Sequence, residues 1–103
     1  MKFNPVLFAK AISDETRQKI MNICCCTSLS VNEIVEKLDV SQPTVSHHLA
    51  ILREAALVTV REEGKQTFYS LNQENVAICC GQLMIKFAPE SITTEKLIQT
   101  LKA

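Results

Sequence analysis

The chain has 103 residues, 47% of them hydrophobic, and its eleven basic residues balance eleven acidic ones to a formal net charge of zero. This length predicts one domain, residues 1–103, with a modest core, and the apolar content excludes a disordered chain. No apolar run reaches the length of a membrane span and no signal peptide is evident, so we expect a cytoplasmic protein without a membrane partner.

The first two predicted elements are helices. Pro5 suits the first turn of a helix over residues 5–12, because its fixed φ is already helical. A second helix starts at Ser13 or Asp14, either of which can cap it. Its apolar spacing continues through three consecutive cysteines, residues 24–26, so we expect these thiols to lie at its end.

Two further helices follow in close succession. Ser30 and Glu33 form a capping box for a short helix that ends near Leu38. After a brief turn, Ser41 can cap a longer helix, with Pro43 in its first turn. The buried face of this longer helix is predicted to hold Val45, Leu49, Leu52 and Ala56.

The period then changes from helical to strand-like. Alternating apolar residues predict two short strands, around residues 58–60 and 67–71. Gly64 lies between them and can adopt the positive φ that a hairpin needs. These features predict a β-hairpin directly after the longer helix.

Helical spacing returns after the hairpin and continues almost to the end of the chain. One predicted helix starts near residue 73 and ends at Pro89, and a short amphipathic helix follows it. In the first of these, Cys80 is expected on the apolar stripe and Cys79 at its edge. The stripe is predicted to contain Val76, Cys80, Leu83 and Phe87.

Two short helices, a tight turn and a hairpin predict a mainly α fold with a β-hairpin wing, the winged helix-turn-helix. Three stretches carry a family resemblance: SDETRQKIM (13–21), SVNEIVEKLDVSQPTVSHHLAILREAALV (30–58) and REEGKQTFYSL (61–71). They resemble the ArsR/SmtB family of bacterial metal-responsive transcriptional repressors, over roughly residues 6–88. The resemblance implies a homodimeric repressor that binds double-stranded operator DNA.

The DNA-binding candidates are polar residues of the longer helix and the wing. A helix that enters the major groove brings short or flat polar side chains to base edges and phosphates, and basic residues hold the backbone. The alternative is a merely solvated polar face. The candidates are Ser41, Gln42, Thr44, Ser46, His47, His48, Arg53, Arg61, Lys65 and Gln66.

The resemblance also implies which residues form the dimer interface and where sensor sites belong. The interface candidates, from the first and post-wing helices, are Val6, Leu7, Val76, Leu83, Met84 and Phe87. Where some members carry a Cys-x-Cys metal site, this chain has Ser30 and Asn32. Where zinc sensors carry their ligands, it has Gln73, Asn75, Lys86 and Pro89, none of which forms a zinc site.

Five cysteines remain as the chemically distinctive feature. The candidates for a thiolate site are Cys24, Cys25, Cys26, Cys79 and Cys80. Thiolates select soft ions, so we predict arsenite or antimonite as the inducer, ahead of mercury, cadmium or copper(I). Cys25 and Cys26, beside the helix break, have the freedom to chelate, whereas Cys24 fits the apolar face. Whether the triplet and the pair form one site or two is open.

The sequence also leaves alternatives to a metal-responsive repressor. A redox or persulfide sensor would join a second-helix cysteine to a post-wing cysteine, and a third possibility leaves all the cysteines in the core. An enzyme is disfavoured, because the sequence has neither a C-x-x-C motif nor a glycine-rich phosphate loop. A winged helix that binds only protein is compatible with the charge balance but not with the polar recognition helix. No cofactor is expected to be required for folding.

Overall fold

The computed structural model describes residues 4–102, and the side chains of residues 4–100. The described residues form six helices and three strands. In chain order these are α1 (Pro5–Ile12), α2 (Glu15–Ile23), β1 (Leu29–Ser30), α3 (Val31–Leu38), α4 (Gln42–Glu54), β2 (Val58–Glu63), β3 (Gln66–Leu71), α5 (Gln73–Phe87) and α6 (Ile92–Lys102). The predicted mainly helical winged helix-turn-helix is confirmed: α3 and α4 are the helix pair, and β2 and β3 are the wing.

Local side-chain caps explain where three of the helices begin. The Asn4 Oδ1 atom accepts hydrogen bonds from the first-turn amides of α1, and the Asp14 carboxylate accepts one from the Arg17 amide. The Ser30–Glu33 capping box is present, with both reciprocal bonds formed, at 3.2 and 2.9 Å. A cap of this kind contributes about 1 kcal/mol to helix stability.

The sheet is antiparallel, with strand order β1-β3-β2. The wing register pairs Val58 with Leu71 and Glu63 with Gln66, and Gly64 in the turn has φ +63°. The short strand β1 pairs Leu29 with Tyr69. This strand was not predicted, because residues 27–30 were interpreted as a helix break. A strand of two residues is too short to show alternation of apolar and polar side chains, and its geometry depends on pairing with Tyr69, 40 residues away.

The core lies between α4 and the helices around it. Val45, Leu49 and Leu52 form the buried face of α4, as predicted, and pack among residues of α1, α2 and α3. The predicted fourth member, Ala56, lies beyond the end of α4 with φ +59°, a backbone conformation that begins the turn into β2. No helix among residues 4–102 is long and apolar enough to span a bilayer.

The buried face of α5 differs from the prediction by one residue. Cys79 is buried and Cys80 is exposed, the reverse of the predicted order. Asn75, one helical turn before Cys79, is also fully buried, and residues four apart share a helix face. The buried Asn75 and Cys79 therefore mark the inner face of α5, which the apolar pattern alone placed elsewhere.

Candidate functional site

A row of exposed, mainly polar side chains lies along the first turns of α4. Because Val45, Leu49 and Leu52 are buried, the opposite face of α4 is turned to solvent. The exposed side chains along its first turns are Ser41, Gln42, Pro43, Thr44, Ser46 and His47. We call these six residues the polar row. It contains five of the six DNA-binding candidates predicted on or beside the first half of this helix.

The start of α4 is open toward solvent. Ser41 stands at the N-cap position, as predicted, but its side chain caps no backbone amide. Its hydroxyl lies instead 2.8 Å from the hydroxyl of Thr44. Pro43 removes one first-turn N–H, and the N–H groups at a helix start attract anions. This end of α4 is therefore suited to a phosphate group.

His48, the sixth candidate, lies apart from the polar row. Its side chain is only 12% exposed, and Arg17 NH1 lies 3.2 Å from its Nδ1 atom. A guanidinium only donates hydrogen bonds, so Nδ1 is the acceptor and His48 carries its proton on Nε2. The neighbouring His47 is exposed. Two adjacent histidines that look alike in sequence thus have different surroundings.

Arg17 connects His48 to the first two helices. Its Nε donates to the Ala11 carbonyl at 2.7 Å and its NH2 to the Lys10 carbonyl at 3.2 Å, both at the end of α1. The Asp14 carboxylate lies 4.0 Å from the His48 ring. The amide of Arg17, which donates to Asp14, lowers the pKa of that carboxyl, with help from the positive charge of the Arg17 guanidinium. This cluster fixes the orientation of α4 against α1 and α2.

The basic candidates flank the polar row. Arg53 is exposed near the end of α4 and borders an open cleft of about 350 Å³ shared with Ser46 and, from the wing, Tyr69. Arg61 pairs with Glu63, and its guanidinium lies 4.9 Å from the centre of the Phe68 ring. Lys65 and Gln66 are exposed at the tip of the wing. The cleft joins the exposed face of α4 to strand β3 of the wing through Tyr69.

A buried hydrogen bond links the end of α4 to the start of α5. Asn75 Nδ2 donates to the Ala56 carbonyl at 2.7 Å, and the Asn72 amide donates to the Leu57 carbonyl at 2.8 Å. The Asn75 side chain is fully buried, and its Oδ1 atom has no partner. Sequence reasoning treated Asn75 only as a position that lacks a zinc ligand. A buried polar group of this kind is costly to disturb.

The cysteine triplet lies just beyond α2 and not within it. The helix ends at Ile23, and Cys24 takes the C-cap position. The Cys24 carbonyl accepts from the Leu71 amide at 2.9 Å, and the Cys25 carbonyl accepts from the Gln73 side chain. The second helix therefore ends three residues earlier than predicted, with only Cys24 at its C-cap, and β3 and α5 bind the carbonyls that follow.

The three thiols of the triplet differ in their environment. Cys24 is fully buried, and burial raises the pKa of its thiol to about 11. The Sγ atoms of Cys25 and Cys26 lie 2.9 Å apart, with Cys25 half-buried and Cys26 exposed. Their mutual hydrogen bond raises the pKa of Cys25, because it favours the protonated thiol. We call Cys25 and Cys26 the thiol pair.

The two cysteines of α5 are also unlike each other. Cys79 is buried, and burial raises the pKa of its thiol. Cys80 is exposed and borders an apolar groove between α5 and α6, with Met84 and Leu97. The thiol pair borders a different cleft, at the first turn of α5. Residues 4–102 contain no group of three or more His, Cys, Asp or Glu residues placed to hold a metal ion.

Apolar side chains remain exposed on α1, α5 and α6. Of the interface candidates, Val6 and Phe87 are 63% and 74% exposed, while Leu7, Val76, Leu83 and Met84 are half-buried. Sequence reasoning missed three further exposed apolar residues, which are Ile85, Ile92 and Leu97. The amphipathic pattern of the last helix was the signal for two of them. Ile85 lies on α5, which the resemblance assigned to dimerisation, and Ile92 and Leu97 lie on α6, the helix that follows it.

Known proteins are similar to this chain in both sequence and fold. The profile described as the arsR family of bacterial regulatory proteins matches residues 14–60, from the start of α2 into β2. The transcriptional repressor SdpR of Bacillus subtilis is 40% identical over 63 residues, covering 61% of this chain and 70% of SdpR. The arsenical resistance operon repressor of Staphylococcus xylosus is 38% identical over 65 residues. That match covers 63% of this chain and 62% of the repressor, less than two thirds of its length.

A solved structure extends the likeness to most of the fold. Reduced HlyU from Vibrio cholerae superposes with a TM-score of 0.65 at 34% identity, covering 81% of this chain and 86% of HlyU. The sequence matches and the superposition therefore indicate the same family. The chain belongs to the ArsR family and is a DNA-binding transcriptional regulator, not an enzyme.

Proposed function

We propose that the protein is a repressor that binds operator DNA as a homodimer and is released when its cysteine thiolates bind a thiophilic ion. Residues 1–103 act in this proposal as one DNA-binding domain with terminal dimerisation helices. The observation that carries the DNA-binding half is the polar row, exposed along the first turns of α4.

The polar row supplies the contacts that read the sequence. Gln42, Thr44, Ser46 and His47 reach base edges in the major groove, because they lie on the first turns of the exposed face. Ser41 and the helix start bind phosphate. Arg53 at the end of α4 and Arg61, Lys65 and Gln66 in the wing hold the DNA backbone and the adjacent minor groove.

His48 has a different role in this proposal. Its half-buried ring and its bond to Arg17 make it a positioning residue, which holds α4 at a fixed angle to α1 and α2. This reassigns one residue predicted to contact DNA. The sequence could not separate it from His47.

The homodimer joins two copies through the exposed apolar residues of α1, α5 and α6. Val6, Phe87 and Ile92 are each more than 60% exposed in the isolated chain, an unfavourable arrangement in water. Burying them between two copies places two α4 helices side by side. Recognition helices of such dimers read half-sites one turn of DNA apart, about 34–36 Å.

The inducer in this proposal is arsenite or antimonite, and the thiol pair provides its first two ligands. Cys25 and Cys26 already lie in sulfur–sulfur contact and reach solvent. Soft thiolates select soft ions. The similarity to an arsenical resistance operon repressor supports this choice. Cys24 and Cys79 are weaker candidates, because their burial favours the neutral thiol.

Release follows from the backbone contacts of the triplet. The carbonyls of Cys24 and Cys25 are bound by Leu71 and Gln73, so an ion that repositions the thiol pair shifts the end of β3 and the start of α5. Two residues further along α5, the Asn75 side chain donates to the Ala56 carbonyl in the turn that follows the recognition helix α4. A differential affinity of a few kcal/mol between the two states is enough to empty the operator.

A thiol-redox or persulfide-responsive repressor is the second candidate. The favouring observation is the same 2.9 Å contact, since two neighbouring thiols can be oxidised to a disulfide. A disulfide between a triplet cysteine and an α5 cysteine is the form expected from the sequence. Cys80, however, lies seven residues beyond Gln73, about 10 Å along the helix, and borders a separate groove.

An anisotropy titration separates these proposals. Reduced protein is bound to a labelled fragment of its own upstream DNA, and arsenite, antimonite, cadmium, zinc or a mild oxidant is added in turn. Release by arsenite or antimonite but not zinc supports the thiolate sensor. Release only by oxidant, reversed by dithiothreitol, supports the redox repressor. Binding that none of them changes refutes both sensing proposals and leaves the DNA-binding function intact.

A further inference from the structure

The thiol pair offers two sulfur ligands and no third. Cys25 and Cys26 are adjacent in sequence, with Sγ atoms 2.9 Å apart. The next sulfur along the chain, Cys24, is fully buried in the core. Within the described part of the chain no third His, Cys, Asp or Glu side chain completes a metal site. An arsenic(III) centre bound here therefore keeps one valence for a substituent.

An open, mainly apolar cleft lies directly beside these thiols. It has a volume of about 300 Å³ and is lined by the thiol pair with Leu71, Gln73, Val76 and Ala77. The side chains of Leu71, Val76 and Ala77 provide its apolar surface, and the Gln73 amide is engaged with the Cys25 carbonyl. An apolar cavity of about 150 Å³ is sufficient to bind benzene. The cleft can therefore receive a small organic group.

We propose that the thiol pair and this cleft form a binding site for a monosubstituted trivalent arsenical, R–As(OH)₂, with the group R in the cleft. This inference rests on the proposed function and specifies its inducer. Each As–OH bond is replaced by an As–S bond, to Cys25 and to Cys26. The two thiol protons leave with the two hydroxides as two molecules of water. Arsenic and sulfur keep their oxidation states, so no oxidant or reductant is needed.

The site discriminates between arsenicals by valence and by shape. Inorganic arsenite bound to two thiols keeps a hydroxyl, which brings no apolar surface to the cleft. An aryl substituent replaces that hydroxyl with a group that Val76 and Ala77 can cover. We expect at least about tenfold tighter binding of an aryl arsenical, which corresponds to about 1.4 kcal/mol.

The test uses hydrated phenylarsine oxide as the aryl probe and arsenite as the reference. Intact-mass spectrometry of the full chain, kept reduced with a phosphine, reports the stoichiometry, and competition between the two probes reports the preference. We expect one phenylarsenic group per chain. Cys25→Ser and Cys26→Ser should each abolish the stable adduct, and Cys80→Ser, another exposed cysteine, should leave it unchanged.

A second variant tests the cleft without touching the thiols. Ala77 is exposed, so Ala77→Leu fills the cleft with little effect on folding. We expect it to reduce the preference for the phenyl compound to less than about threefold while arsenite binding persists. Circular dichroism of each variant verifies that it is folded.

The outcomes separate this inference from the proposed function. Equal binding of arsenite and phenylarsine oxide at the thiol pair, or a preference that survives Ala77→Leu, overturns the inference even if arsenite releases the DNA. An adduct that forms at the thiol pair with the expected preference but leaves the operator bound supports the site and refutes the proposed sensing function. An adduct retained by both Cys→Ser variants overturns the site itself.

Discussion

The adjacent histidines of α4 test which face of the helix contacts DNA and which face packs against the rest of the fold. His47 is exposed, and His48 is 12% exposed with Nδ1 bound by Arg17. We therefore expect His47→Ala to weaken operator binding at unchanged stability. We expect His48→Ala to lower stability with the smaller effect on operator binding. Both substitutions remove the same side chain from the same helix, so each is the control for the other.

The magnitudes follow from the contacts. Losing a hydrogen bond to a charged group costs about 1–3 kcal/mol, and we take the lower part of this range for His48→Ala. Arg17 keeps its bonds to the Ala11 and Lys10 carbonyls, so it is not left unpaired. A loss of about 1–2 kcal/mol lowers the Tm of a domain this size by roughly 4–16 °C. His47→Ala should stay within about 0.5 kcal/mol in stability and lose about 5- to 100-fold in operator affinity.

Thermal melts at one fixed protein concentration and anisotropy titrations on upstream DNA measure the two effects. The concentration is fixed because dimerisation makes Tm concentration-dependent. His48→Asn is the rescue variant, since its Oδ1 atom can accept from Arg17 near the position of Nδ1. The reasoning is refuted if His47→Ala lowers Tm and His48→Ala does not. It is also refuted if His48→Asn is as unstable as His48→Ala.

Three further predictions follow from buried or charged groups. Asp14→Asn keeps the N-cap of α2 but removes a carboxylate whose pKa is lowered in the folded state, so wild type should be the more stable at pH 7. This advantage should fade as pH falls below about 3.9, where the unfolded carboxyl takes up its proton, and melts across pH 2–7 measure it. Iodoacetamide labelling followed by peptide mass mapping should modify Cys80 quickly and Cys24 and Cys79 slowly, because Cys24 and Cys79 are buried and their thiols stay protonated. Equal labelling rates for the three cysteines would contradict this burial. Asn75→Ala should cost about 1–3 kcal/mol in urea unfolding through the lost bond to the α4–β2 turn, and an unchanged midpoint would show that this bond is not formed.

Features encoded locally could be predicted from the sequence. The Ser30–Glu33 capping box, the proline in the first turn of α4 and the glycine of the wing each depend on residues within a few positions. Apolar periodicity then predicted the order of helices and wing, and the family resemblance added the expected roles in DNA binding and dimerisation. The exposed residues of the polar row also followed, because they are opposite a clearly apolar face.

Features decided by distant contacts could not be predicted. Cys79 and Cys80 both fit the helical period, and the choice between them depends on what α5 packs against. The end of α2 is set by Leu71 and Gln73, nearly fifty residues away. Burial of His48 depends on Arg17 in another helix. In each case the sequence shows the residue type and only the fold shows its partner.

The central claim is that the polar row of α4 binds a specific operator. The most direct measurement is fluorescence anisotropy of the reduced protein on its own upstream DNA and on a shuffled fragment, at two salt concentrations. We expect the protein to bind the upstream fragment about a thousandfold or more tighter than the shuffled one, and we expect salt and His47→Ala to weaken this binding. Equal affinity for the two fragments, or specific binding that His47→Ala leaves unchanged, would contradict it.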